Sequence, residues 1–484
     1  MTALPILITI AIYLSLLFVI ANRSSRNGNN ATFFKGGRQQ SPLVVAIAMM
    51  GAPISGISLI SLPGSVAAGA FSYLQFMFGV IVGYTIIAYL LIPLFYRLNV
   101  TSLYEYLDGR FGVSSHRSGA WIFFVSKVLS ASLRAFVICI VVQQLLCNTL
   151  GVPFFVTAMI FMLLVWLYTR KGGVASVVWT DVLKTLCMVG CIGLAILFVL
   201  RSLGLSLGEA MAQASERGFT QIFFLDDVND SRHFLKMFIS GIFLIVANTG
   251  LDQDVMQRVL SSRTERSAQR NMVLSAVMQT VIIGLMLVLG AMLHLYLVES
   301  NLSVAKADDV FAFVATREGM PMALSILLVL GIVSSTFSTT GSALTSLTTS
   351  FTMDILGGKK GRTEEGLTRV RKMVHIAIAV MLMALMLVFE RWSNDSAINL
   401  FYRLASYTYG PLLGMFTFGM FTKLYVRDRW VPLVVILAPA LSFLLDHYSQ
   451  KLFGGYKFGF EILLVNAAFT MIGLLILSRR ADKK

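Results

Sequence analysis

Apolar residues run along this chain in long blocks. Each is close to the length that carries an α-helix across a bilayer, about 20 residues. Reading block by block gives about 13 of them, at 3–22, 43–70, 73–97, 118–147, 152–168, 174–200, 233–257, 272–298, 321–355, 373–390, 396–422, 430–448 and 457–478. Each is predicted to be a helix, because an open strand would leave backbone amides and carbonyls unpaired in lipid. The expected fold class is an all-α polytopic membrane protein, with residues 1–484 forming one transmembrane domain. The first block, Leu4 to Ala21, has no basic residue before it and no convincing small-residue cleavage site after it, so it reads as a retained helix rather than a signal peptide.

Two blocks are interrupted. In Ala46–Gly64 the residues Gly51, Pro53, Gly56, Pro63 and Gly64 break an otherwise apolar helix, and in Val246–Arg258 a run of polar residues with Gly250 does the same. Unwound backbone at membrane depth is tolerated only where it lines a cavity. The breaks lie five helices apart, each opening a five-helix block, which is the pattern of an inverted-repeat transporter with its site at the bilayer midplane. On this reading 43–200 and 233–422 are the two repeats, and 3–22 and 430–478 are peripheral. The competing reading, that Gly and Pro only kink the helices, suits a single break better than a matched pair. Between blocks, Ser202–Arg232, with Asp226, Asp227 and Asp230, is long enough for a small amphipathic cap. Thr101–Gly112 reads as a short surface helix and Gly357–Glu365 as a flexible basic loop.

Composition strengthens the membrane assignment. Hydrophobic residues make up 57% of the chain, charged residues 13%, and the mean hydropathy is +0.78, which leaves almost nothing for a soluble domain. The net charge of +15 would fit a nucleic-acid partner only if it were gathered on one face. It is distributed by loop instead: alternate connections carry about 26 Lys and Arg, the other set about eight. That asymmetry predicts an N-terminus outside and a C-terminus in the cytoplasm of a bacterial inner (plasma) membrane, with the lipid bilayer as surroundings and no nucleic acid or obligate protein partner. Cys139, Cys147, Cys187 and Cys191 lie in or at the ends of spans and read as packing residues. No His/Cys/carboxylate cluster at ligand spacing and no phosphate-binding loop appears, which disfavours a metalloenzyme or an ATP-driven pump. A catalytic cluster is equally missing, and the chain reads as a non-enzyme.

Three features carry chemistry. In Gly331–Ile355 the hydroxyl residues Ser335, Ser338, Ser342, Thr345 and Thr349 recur at helical spacing, with Thr339 and Ser346 beside them. A partly dehydrated sodium ion needs about five oxygens, and neutral hydroxyls and carbonyls supply them without the desolvation cost of several carboxylates. The alternative is that these hydroxyls bond back to the carbonyls of their own helix. Asp181 is an acid just inside the sixth span, where intramembrane carboxylates are functional by default. Lys184, three residues on, offers a simple structural pair instead. Arg134 sits near the centre of the fourth span, too deep to snorkel. It requires an anion, either a protein carboxylate or a carboxylate-bearing solute gripped by its planar fork.

Several stretches taken together resemble the sodium/solute symporter family, which includes sodium-coupled transporters of sugars, proline, sialic acid, iodide, vitamins and monocarboxylates. They are the break ending at Leu62–Gly64, TSLYEYLDGRFG at Thr101–Gly112, KGGVASVVWTD at Lys171–Asp181, GLDQDVMQR at Gly250–Arg258, STTGSALTSLTTSFTMDI at Ser338–Ile355 and YGPLLGMFTFGMF at Tyr409–Phe421. The resemblance implies a LeuT-like core of ten helices, spans two to eleven, arranged as a 5+5 inverted repeat. It implies a sodium (Na+) site made by the carbonyls of Gly51 and Ile54 with oxygens of Ser335, Ser338 and Thr339. In some members a second sodium lies between residues equivalent to Asp181, Ser338 and Ser342. This chain departs from that pattern, with Gly341 where those members carry another hydroxyl and Lys184 beside Asp181. Ser55, Ser58 and Arg134 match substrate positions of the sialic acid branch, so the preferred solute is an organic anion such as a sialic or other sugar acid. Gln75, Asn248 and Thr249 are further candidate contacts.

Other readings have distinct signatures. A proton-coupled carrier needs a titrating group at the site, for which only Asp181 qualifies; a sodium symporter of a neutral sugar or amino acid would leave Arg134 to a protein acid. A channel needs a continuous polar pore, which the matched breaks do not suggest.

Overall fold

The computed structural model describes residues 3–24, 33, 42–51, 54–98, 102–143, 147–148, 151–172, 174–259, 262, 264–358, 362–392, 397–456 and 458–479, and nearly all of them are helical. Helix α1 (Ala3–Ser24) precedes a broken pair, α2 (Pro42–Gly51) and α3 (Gly56–Gly64). Then follow α4 (Tyr73–Leu98), a short α5 (Glu105–Arg110), α6 (Val113–Val142), α7 (Phe154–Gly172) and α8 (Val174–Leu203). A short α9 (Leu207–Glu216) leads to the second broken pair, α10 (Phe234–Ile245, ending in a π-helical turn Val246–Gly250) and α11 (Gln253–Val259). The chain continues through α12 (Glu265–Glu299), α13 (Val310–Thr316), α14 (Met322–Ile355), α15 (Glu364–Trp392) and α16 (Ala397–Phe421), and closes with α17 (Val431–Leu452) and α18 (Ile462–Ile476). Two short strands, Tyr425–Val426 and Ser478–Arg479, pair antiparallel beside the last helices.

Among the described residues, seven helices are long and apolar enough to cross a membrane and four shorter apolar helices accompany them. The two interruptions fall where the Gly and polar residues predicted them, between Gly51 and Gly56 and between Gly250 and Gln253. Pro53 and Ala52, inside the first break, lie outside the described residues. The Ser202–Arg232 segment does fold into an amphipathic cap: Ser206 caps α9, and its backbone and side-chain hydrogen bonds hold the Glu209 carboxyl below its ordinary value. The Thr101–Gly112 stretch is less superficial than expected, because Leu103, Tyr104 and Leu107 are fully buried. Of the loop Gly357–Glu365, residues 359–361 lie outside the described residues; Gly357 and Gly358 turn the chain with positive φ.

α14 is the axis of the bundle. Every residue from Gly331 to Ser350 is buried, with α8 along one side and α6 along another. A helix buried all round in water would be apolar; this one is half Ser and Thr, so it must find polar partners inside the bundle.

Glycine sets the closeness of the other pairs. A Cβ at Gly79 on α4 would lie 2.0 Å from the Phe238 carbonyl oxygen on α10, and one at Gly241 would lie 2.2 Å from the Phe76 carbonyl oxygen. The two backbones therefore touch, the small-residue packing that membrane helices use in place of a hydrophobic drive. Because the opposing atoms are backbone, they cannot swing aside. Gly79→Ala and Gly241→Ala are each expected to lower the thermal midpoint of the purified protein or abolish its monodisperse elution. Gly284→Ala, on α12 with nothing within 4 Å of the added carbon, should be neutral or stabilising by up to about 1 kcal/mol. Equal behaviour of all three would show that the contact does not constrain the fold.

Candidate functional site

At the first break Ile54 N–H donates to the Gly51 carbonyl at 3.1 Å, and Ser55 then starts α3 in an extended conformation. A Cβ at Gly51 would lie 1.9 Å from Thr185 Oγ1, so a larger residue there would force the Thr185 side chain of α8 to move. From the other side, Ser335 Oγ lies 3.5 Å from the Ile54 carbonyl oxygen. Two oxygens that far apart can both ligate one small cation at about 2.4 Å with roughly a right angle between them, the spacing found around oxygen-bound calcium of similar radius. Ile54 and Ser335 thus present two oxygens at a spacing one small cation can bridge, and the Gly51 carbonyl is tied to the same turn by the Ile54 amide. Thr339 Oγ1 donates back to the Ser335 carbonyl at 3.0 Å and keeps its lone pairs for another partner.

The hydroxyl stripe divides in two. Thr345, Ser346 and Thr349 donate to carbonyls of their own helix, as the structural alternative held. Ser338 and Ser342 leave the helix: Ser338 donates to Asp181 Oδ1, and Ser342 donates to Asp254 Oδ1 and accepts from the Arg258 guanidinium.

These bonds belong to a buried chain of charges. Arg258 Nε lies 3.0 Å from Asp181 Oδ2, and Arg258 Nη2 lies 3.3 Å from Asp254 Oδ1. Lys127 Nζ, on α6, lies 2.9 Å from Asp254 Oδ2 and 2.9 Å from Asp252 Oδ2. Tyr409 Oη, on α16, donates to Asp252 Oδ2 at 2.8 Å. The order Asp181, Arg258, Asp254, Lys127, Asp252 alternates in sign and ties α8, α11, α6 and α16 together through the second break. Asp181 therefore pairs with Arg258 rather than with Lys184. Lys184 is fully buried on the same face of α8, and its Nζ makes no hydrogen bond among the described residues. Asp181 and Ser342, expected beside a second sodium, both meet the Arg258 guanidinium. Gly341 is filled from outside: a Cβ there would lie 1.6 Å from Tyr168 Oη.

A cavity of about 60 Å³ touches both breaks. Its wall includes Ile54 and Ser58 from the first break, Asn248, Thr249 and Asp252 from the second, and Lys127, Arg134 and Arg258. A smaller void of about 10 Å³ shares Lys127, Arg134, Asp254 and Arg258 and reaches Thr339. The structure thus brings Ser58, Arg134, Asn248 and Thr249 onto the wall of one cavity. Ser55 is buried at the start of α3 outside the cavity wall. Gln75 is committed elsewhere: its amide donates to the Arg232 carbonyl at 2.8 Å and accepts from Phe224 N–H, pinning the cap.

Residues 33–427 match the sequence profile of the sodium:solute symporter family. The chain belongs to that family. Similar proteins include the sodium-dependent multivitamin transporter of Oryctolagus cuniculus, 27% identical over 79% of this chain and 60% of its own length, so less than two thirds of that relative is spanned. The sodium/sialic acid symporter SiaT of Proteus mirabilis is 23% identical over 85% of this chain and 83% of its own. A solved Na+-coupled sialic acid symporter, substrate-bound and outward-open, superposes with a TM-score of 0.84 at 19% identity, covering 98% of this chain and 99% of that one. That likeness establishes the fold, a LeuT-like one.

Lys127, Asp252, Asp254, Arg258 and Tyr409 were not singled out from the sequence. The signal was present for Lys127, Asp252 and Asp254, because each is an ionisable residue inside a predicted span, the same criterion that selected Asp181 and Arg134; Arg258 falls one residue beyond the predicted span 233–257, yet the structure buries it. Breaking a buried pair by removing one partner costs about 3–5 kcal/mol. Asp181→Asn should therefore destabilise strongly, and adding Arg258→Gln should recover more of the loss than adding Lys184→Gln. Thermal melts of the single and double variants check this; equal or better recovery with Lys184→Gln would reassign the partner of Asp181.

Proposed function

We propose that this symporter couples sodium entry to uptake of a small organic anion, such as a sialic or other sugar acid, by alternating access between repeats 43–200 and 233–422. The observation that carries the reading is the composition of the cavity wall. Lys127, Arg134 and Arg258 bring three cationic side chains to it beside Asp252 and Asp254, with Ser58, Asn248 and Thr249 as neutral polar neighbours. With Asp181 paired to Arg258 these buried charges balance, and an organic anion that enters together with Na+ keeps that balance while gaining the fork of Arg134. Sodium, held by Gly51, Ile54, Ser335, Ser338 and Thr339, links the first break to α14, and the solute contacts Ser58, Arg134, Asn248 and Thr249. The cavity is far smaller than the several hundred Å³ usual for ligand pockets, so a sugar-sized solute needs the helices around both breaks to move apart. The loop charges support an N-terminus outside and a cytoplasmic C-terminus in a bacterial inner membrane.

Two expectations follow. Ser338→Ala and Thr339→Ala each delete an oxygen near a partly dehydrated ion, and each should raise the sodium concentration for half-maximal uptake in proteoliposomes; unchanged sodium dependence in both would place the ion elsewhere. Arg134→Lys keeps the charge and loses the bidentate fork. It should fold, retain sodium-dependent stabilisation, and bind the preferred acid at least tenfold more weakly, while the amide analogue of that acid binds wild type poorly. Equal binding of amide and acid to wild type would make Arg134 structural and favour a neutral sugar or amino acid as solute.

A further inference from the structure

A second cluster of positive charge lies away from the ion-pair chain, between α7 and α15. A cavity of about 320 Å³ is lined by Phe33, Trp166, Arg170, Arg371, Lys372, His375 and Ile376. Arg371 is 4% exposed, its guanidinium carbon stacks 4.3 Å from the centre of the Phe33 ring, and its Nη1 has no hydrogen-bond partner among the described residues. Arg170 lies over Trp166 at 5.3 Å. His375 is held between Thr169 and Thr348, 3.0 Å and 2.8 Å from their hydroxyls, and closes the floor of the cavity. Among the described residues no carboxylate lines it, and Arg371 makes no ion pair. The stretches that adjoin Phe33 and α15 in sequence, 25–32, 34–41 and 359–361, contain no Asp or Glu. Among the described residues this buried guanidinium is thus given no anion, and such a group requires one.

The flanks of the cavity indicate which anion. On α7, Leu163 and Met159 stand on the same face as Arg170 and Trp166 and are 52% and 42% exposed; on α15, Ile376 and Val380 follow Lys372 at four-residue steps and are 48% and 55% exposed. Both apolar stripes run away from the cationic end. A cationic head with two adjoining apolar tracks has the shape and polarity of a lipid with a phosphate at one end.

We propose that this cavity is a binding site for an anionic phospholipid, its phosphodiester held by Arg371, Arg170 and Lys372 and its acyl chains lying along Ile376, Val380, Leu163 and Met159. Arginine suits the task, since its fork pairs with two phosphate oxygens at once and stacks on aromatic rings, and basic pockets between membrane helices are known to take such headgroups.

The test uses the full chain in a neutral detergent, titrated with dioleoyl phosphatidylglycerol, dioleoyl phosphatidylcholine, glycerol 1-phosphate or inorganic phosphate while the thermal midpoint is followed. Phosphatidylglycerol should stabilise at a concentration at least tenfold lower than phosphatidylcholine or either soluble phosphate. Arg371→Gln and the exposed-site pair Arg170→Gln with Lys372→Gln should each erase the preference. If Arg371→Gln does not fold, phosphatidylglycerol with brominated acyl chains should still quench wild-type fluorescence more than brominated phosphatidylcholine does, and the excess should vanish in Trp166→Phe. Equal stabilisation by the two lipids, a preference kept in the variants, or an excess quench kept in Trp166→Phe would overturn the site. Stabilisation by inorganic phosphate matching that of phosphatidylglycerol would overturn its assignment to lipid.

Discussion

A charge inside a bilayer has to be matched within the protein, and this constraint shapes the centre of the molecule. Asp181, Arg258, Asp254, Lys127 and Asp252 alternate in sign through a region where none is exposed by more than a tenth. Each pair alone would at best balance its desolvation cost. Chained and hydrogen-bonded to Ser338, Ser342 and Tyr409, each charge faces one of opposite sign, and together they fix four helices around the second break. The break needs this support, because a helix opened at Leu251 and Asp252 leaves backbone groups that only a polar interior can accept.

The same network gives the two halves of the site a common member. Ser338 belongs to the candidate ion set and bonds to Asp181; Asp181 meets Arg258; Arg258 lines the cavity that Arg134 and Asn248 also line. On the proposed assignment, Ser338, Asp181 and Arg258 stand in that order between the ion positions and the cavity wall. A change of charge at either end alters the field on groups that are short of water and therefore weakly screened. Under that assignment, energetic linkage between ion and solute has a route through named side chains.

The fold was legible because bilayer physics leaves few choices: block length, Gly and Pro at the first break, and polar residues at the second all pointed to the elements observed. The hydroxyl stripe was half legible. Its periodicity showed that the residues share a face, but not that Thr345, Ser346 and Thr349 would turn back to their own carbonyls while Ser338 and Ser342 reached out. That choice depends on which acid stands opposite, and the acids come from α8 and α11, more than 80 residues away in sequence. Pairing of Asp181 was illegible for the same reason. Helical spacing offers Lys184 as the neighbour, whereas the tertiary fold brings Arg258 closer with a planar fork that can engage Asp254 as well. Gln75 illustrates the opposite case, a polar residue inside a span whose partners are loop backbone rather than a ligand.

The meeting of Tyr168 with Gly341 has a consequence for how this chain can change over generations. The tyrosine hydroxyl donates to the Phe337 carbonyl and occupies the volume that any side chain at 341 would need. A mutation at 341 alone meets a steric wall, and a mutation at 168 alone leaves a void and an unclaimed carbonyl. The two positions, on different helices, are therefore epistatic, and a new hydroxyl at this level of α14 becomes accessible only along a path in which residue 168 shrinks first.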